Sequence, residues 1–178
     1  METKLKDCFL NALRDEKKGK KHKGLLITKP GTKEVEEYVA KAKKNLELCK
    51  FYKEKRFDYK LPEEWFYTLY YCALAILAKF GIESRSQKCT ALFLRYVKDK
   101  GLIEYDDEFI KRITVYSEKE EKSDVDKREK ARYSSSVEIQ EVAQNYDKMM
   151  DVCREAISQC EGVIFSEGPF EVPEELGE

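Results

Sequence analysis

The apolar positions of this chain recur with a period near 3.6, which predicts a succession of helices. Leu5, Cys8, Phe9, Ala12 and Leu13 share one stripe of a first segment ending near Lys18, an amphipathic helix docked on the main body. Val35, Tyr38, Val39, Ala42, Leu46 and Cys49 form the buried stripe of a second helix. Thr32 can cap it, and Glu34, Glu36 and Glu37 suit the positive end of its dipole. The run from Trp65 to Phe80 is apolar at nearly every position, so it must be buried on all sides, as the central helix of a bundle or as half of a dimer seam. Pro62 fits its first turn and Gly81 its end. The stretch from Trp65 to Ala78 falls short of the roughly 20 apolar residues a bilayer needs, and Glu64 and Lys79 bracket it, so a core helix is expected and a membrane span is not.

Further on, Ser86 is placed to cap a helix carrying Cys89, Leu92, Phe93, Tyr96 and Val97 and ending near Gly101. A fifth opens at Asp106 or Asp107 and buries Phe109, Ile110, Ile113 and Tyr116. Residues 117–130 are nearly all charged and read equally as an exposed helical arm or a loop. Ser135 and Glu138 have the spacing of a capping box, and Val142, Tyr146, Met149, Cys153, Ala156, Ile157 and Cys160 form the cleanest stripe in the chain, a last long helix. After Gly162 an acidic tail is expected to run extended, anchored through Phe165 and Phe170.

The fold class that follows is all-α, with an N-terminal helical extension. Residues 1–31 form the extension and a basic loop, 32–162 the bundle and 163–178 the tail. Composition agrees: 39% of the 178 residues are charged, with only 8 Gly and 4 Pro, which favours long solvated helices over a turn-rich β protein.

The net charge of -1 conceals a gradient. Residues 1–60 carry 18 Lys and Arg against 10 Asp and Glu, residues 61–160 carry 16 against 19, and the last 18 residues carry six Glu and no cation. The densest positive run is Lys17, Lys18, Lys20, Lys21 and Lys23, on a Gly-containing loop where each lysine loses entropy on engaging an anion. The six cysteines, at 8, 49, 72, 89, 153 and 160, include no CxxC pair. Cys49, Cys72, Cys89 and Cys153 fall on apolar stripes where free thiols pack as small hydrophobes, which suggests a reducing, cytoplasmic setting. With one histidine and no clustered thiols, neither a metal site nor any other cofactor is expected.

Catalytic motifs are missing from the sequence: there is no Gly-rich phosphate loop and no G-x-S-x-G. His22, within the lysine-rich loop, reads as a solvated surface residue. Trp65, Tyr67, Tyr70 and Tyr71 sit on the most apolar helix and read as core and dimer seam, not as a platform for bases.

Four segments, in this order, resemble the successive landmarks of HEPN (higher eukaryotes and prokaryotes nucleotide-binding) domains. They are residues Glu37–Leu46, Trp65–Leu77, Gly81–Cys89 and Ala131–Ser134, and together they span about 125 of 178 residues. The resemblance implies an up-and-down bundle of four to five core helices, commonly a homodimer and often paired with a small nucleotidyltransferase in a toxin-antitoxin-like module. Many members are metal-independent ribonucleases in which an Arg and a His four to six residues further on meet across the dimer. Here the matching arginine is Arg128, and the window after it holds Tyr133, Ser134 and Ser135 but no His; the family's S-H-K turn reads Ser86-Gln87-Lys88. Without an imidazole, Tyr133, with an ordinary pKa of about 10, is a poor general base at neutral pH. Arg128 and Arg132 can still grip phosphate, Tyr133 can stack on a base, and Lys88 adds a charge. The expectation is a cytoplasmic protein that binds nucleotide or RNA without strong catalysis. The alternatives are a divergent ribonuclease using Arg128, Arg132 and Tyr133, and a structural helical dimer that recruits a protein.

Overall fold

The computed structural model describes residues 1–114, 139–168 and 170–177, most of which are helical. In chain order they form α1 (Glu2–Lys17), β1 (Leu25–Ile27), α2 (Thr32–Glu54), a 3-10 turn (Asp58–Lys60), α3 (Leu61–Lys79), β2 (Ile82–Ser84), α4 (Gln87–Asp99), α5 (Asp107–Ile113), α6 (Ile139–Gln144), α7 (Tyr146–Phe165) and α8 (Glu174–Gly177). None of the described helices is long and apolar enough to cross a membrane.

The core is organised around α3, against which α2, α4, α5, α7 and β2 all pack. Phe66, Ala73, Ala75, Ile76 and Leu77 are wholly buried, as an all-round apolar helix demands. Trp65 is buried too, while Tyr67 and Tyr71 are half-buried and stack on each other at 5.9 Å, with Tyr38 of α2 against Tyr71 at 6.3 Å. Trp65 is core, as expected, and Tyr67, Tyr70 and Tyr71 pack against the core while partly exposed. The chain's own helices cover most of α3.

Several helix ends follow their sequence signals. Ser86 caps α4 by accepting from the Cys89 N–H at 3.3 Å, and Asp106 caps α5 by accepting from the Glu108 N–H at 2.8 Å. Others differ. Thr32 is the first residue of α2 and not its cap; Gly31 takes that position without a side-chain bond. The expected last long helix is interrupted at Asn145, which separates α6 from α7, and α7 continues past Gly162 to Phe165. Leu13 and Phe165 were expected to be buried but stand 48% and 72% exposed. The expected capping box at Ser135 and Glu138 lies outside the described residues, as do 117–130.

Two features depart from a purely helical reading. β1 and β2 form a short antiparallel ribbon with Leu25 opposite Ser84 and Ile27 opposite Ile82. Gly24 leads into it so close to α1 that a Cβ there would lie 2.1 Å from the Cys8 carbonyl oxygen, so only glycine fits. Beside it Cys8 of α1 and Cys89 of α4 are joined as a disulfide, their Cα atoms 5.9 Å apart. Cys89 is therefore not a free thiol, and the cysteine pattern no longer argues for a reducing compartment. Cys49, Cys72, Cys153 and Cys160 are buried thiols outside the disulfide. Cys8→Ser is expected to cost about 2–4 kcal/mol, because the bridge closes a long loop in the unfolded chain. Thermal melts with and without dithiothreitol check this; a wild-type melt unchanged by reduction would mean that the two thiols are unbonded in solution.

His22 is a second correction. It is 2% exposed, with Nε2 3.3 Å from Glu83 Oε1 and Nδ1 accepting from the Gly24 N–H at 3.5 Å. It pins the end of the basic loop to the ribbon. The C-terminal segment is not loose either: Phe170 packs edge-on against Phe80 at 5.2 Å, and Leu176 is 2% exposed.

Candidate nucleic-acid interface

Of the residues nominated from sequence, Arg128, Arg132 and Tyr133 lie outside the described residues. Lys88 is exposed in the first turn of α4. Its neighbours there are structural: the Thr90 hydroxyl donates to the Ser86 carbonyl at 2.9 Å and lies 2.7 Å from the Ser84 hydroxyl. Lys88 is thus a single cation at a capped helix start. The lysines of the basic loop are exposed and have no aromatic side chain interleaved with them.

Three of the buried groups are poor nucleophiles. Burial pushes the Cys49 thiol up to about 12. The Cys72 thiol is raised by its hydrogen bond with Cys160 and by burial, and burial raises the Tyr105 phenol. All three stay protonated at neutral pH, and a protonated thiol is a poor nucleophile. No group of three or more His, Cys, Asp or Glu among the described residues is placed to hold a metal ion.

A cleft of about 630 Å³ opens between the α4–α5 connection and the end of α7, with Ile103, Tyr105, Val163 and Phe170 in its wall. Glu104 and Asp106 also line it, and no lysine or arginine does, so it does not suit a phosphate.

The arrangement that does suit one is the corner between α2 and α3. The buried stripe of α2 ends at Cys49, and the chain then alternates rings with cations: Lys50-Phe51-Tyr52-Lys53-Glu54-Lys55-Arg56-Phe57-Asp58-Tyr59-Lys60. The helix is closed by the Phe57 N–H donating to the Tyr52 carbonyl at 2.8 Å and the Arg56 N–H to the Lys53 carbonyl at 3.2 Å. In that closure the residue after the cap turns left-handed, usually as glycine. Here it is Arg56, at φ 60°. The turn folds Phe57 back edge-on against Tyr52 at 6.3 Å, and Tyr59 meets Phe57 at 6.4 Å. With Phe51 against Tyr52 at 6.0 Å, four rings form a continuous row. Three of them, Phe51, Phe57 and Tyr59, are 47%, 44% and 46% exposed.

Charge is arranged around this row. Lys53 bonds the buried Asp58 carboxylate at 2.9 Å and lies over the Tyr146 ring, so it ties the 3-10 turn to the fold. Lys55 sits 6.0 Å over Phe51 and Lys60 5.6 Å over Tyr59. Lys50, Lys55 and Arg56 are exposed, and among the described residues none has a carboxylate within ion-pair distance. Exposed rings beside unpaired cations are what a single strand needs: faces for unstacked bases and charges for its backbone. None of these residues was singled out from the sequence, although the interleaving of rings and cations beyond the last buried stripe residue is a legible pattern.

Comparison of the chain with protein-family models, with curated proteins and with solved structures found no match.

Proposed function

We propose that this chain is a HEPN-like helical protein that binds single-stranded RNA. The observation that carries the proposal is the row of three half-exposed rings among unpaired cations at the α2–α3 corner. The landmark segments that resemble HEPN domains support it, and on that resemblance the chain would act beside a small nucleotidyltransferase. The reading is of a binding protein, because the segment expected to hold the reacting groups has no histidine.

Fluorescence anisotropy with a labelled RNA oligonucleotide at two salt concentrations tests it. Affinity is expected to fall as salt rises, by released counterions, and to vary little with base sequence. The same oligonucleotide annealed into a duplex is expected to bind more weakly, since its bases are already stacked. Equal affinity for duplex and single strand would exclude the stacking role of the rings. The RNA is expected to remain intact in EDTA; cleavage that Tyr133→Phe abolishes would favour the ribonuclease alternative.

A further inference from the structure

The acidic tail occupies a defined groove. Phe170 packs against the Phe80 ring at the end of α3, with Lys79 Nζ 4.9 Å from its centroid. Six residues on, Leu176 is buried and α8 lies against α1. Between the two anchors Glu175 accepts from the Tyr96 hydroxyl at 2.5 Å and from Lys100 at 3.2 Å, and the Tyr96 bond, a backbone N–H and Lys100 together hold its carboxyl down to about 2. Glu171 and Glu174 point to solvent, and Val172 and Pro173 are half-buried.

This is how a linear motif lies on a receptor: apolar anchors inward, charges outward, and a proline that reduces the entropy lost on ordering. Beneath the tail lie Phe80, Phe93 and Tyr96, which belong to the core, with Phe93 edge-on to Phe80 at 5.4 Å. The hold on the tail is local: buried Leu176, half-buried Phe170 and Val172, and Glu175 bonded to Tyr96 and Lys100. Segments held in this way open locally while the core stays folded.

We propose that this surface is a peptide-recognition groove, filled in cis by the tail, that takes in trans an acidic segment of a partner protein with an aromatic anchor and an aliphatic anchor six residues later. Lys79 and Lys100 select the acidic charge, and the Phe80 and Leu176 positions select the two anchors. The tethered tail competes at an effective concentration in the millimolar range, so the groove is masked until the tail is displaced. The proposal is independent of RNA binding: groove and corner sit at opposite ends of the 19-residue α3, about 28 Å apart by helix rise.

The test uses the full chain and a fluorescein-labelled peptide of residues 168–177. Phe170→Ser with Leu176→Ser weakens the tail's hold, and this variant is expected to bind the peptide at least about ten-fold more tightly than the wild type. Adding Lys100→Ala is expected to reverse the gain. A variant with wild-type circular dichroism that binds no better than wild type, or that binds a scrambled peptide equally, overturns the proposal. Hydrogen exchange of the wild type with excess peptide decides the matter if the variant does not fold: amides of 170–176 are expected to exchange faster, and unchanged exchange overturns it. A wild-type dimer that Leu176→Ser converts to monomer assigns the groove to a second copy of the chain, and likewise overturns it.

Discussion

Phe66→Ala is expected to destabilise the protein by about 3–5 kcal/mol, the cost of emptying a large buried aromatic site. Phe66 is wholly buried on α3, edge-on to Tyr67 at 5.4 Å and stacked on Tyr70 at 5.7 Å. The layers that surround it come from separate parts of the chain, so collapse around the hole is restrained on several sides. Set against a total stability of about 5–15 kcal/mol, the loss is severe. At roughly 2–4 °C per kcal/mol for a chain of this size, the melting temperature is expected to fall by about 6–20 °C. Circular dichroism melts measure it, with Phe51→Ala as the comparison, because Phe51 is 47% exposed and is expected to shift stability by about 0.5 kcal/mol or less. Equal losses for the two variants would contradict the central burial of α3.

That contrast also marks what could be read from sequence. The α3 run declared itself because its pattern has a single physical solution: with no polar face, the helix must be surrounded. Ser86 and Asp106 were legible as caps because the interaction is local, two or three residues long. The features that were missed are those in which distant residues decide. Cys8 and Cys89 are 81 residues apart, and nothing in either neighbourhood announces the other. Leu25–Ile27 is too short for an alternating pattern and becomes a strand only because Ile82–Ser84 lies alongside. His22 looks solvated among lysines and is buried only because Glu83 arrives across the ribbon. The five glutamates of residues 163–178 suggested an extended segment, and Phe170 was expected to anchor it, but the burial of Leu176 was not foreseen.

The corner was missed for a different reason. Aromatic residues are read as core by default, and on α3 that default is correct for Trp65 and Phe66. After Cys49 the same residue types lose their helical phase, and the chain reverses within a few residues. Rings that cannot share one face of a helix are then left to stack on each other at the surface. Periodicity, which identified the first group, was also the signal that excluded the second.

Replacing Phe57 and Tyr59 together by Ala is expected to lower RNA affinity by roughly 30-fold or more, since each stacked base is worth about 1–3 kcal/mol. Stability is expected to fall far less than for Phe66→Ala, because both rings are nearly half exposed. The sharper test is Arg56→Gly. An L residue held left-handed costs about 1–2 kcal/mol, of which glycine would return part and give back the rest as unfolded-state entropy. The variant is therefore expected to be more stable than the wild type by about 0.5–1 kcal/mol, read as a higher denaturant midpoint with an unchanged slope. If the guanidinium is held there to meet a phosphate, RNA binding moves the other way: affinity drops and the salt dependence becomes shallower by about one counterion. Arg56→Lys separates charge from geometry, keeping the strain and the charge while losing the fork. A stabilised Arg56→Gly protein that binds RNA as well as the wild type, with the same salt slope, would leave Arg56 as uncompensated strain at a turn and would remove the corner's central cation from the proposed interface.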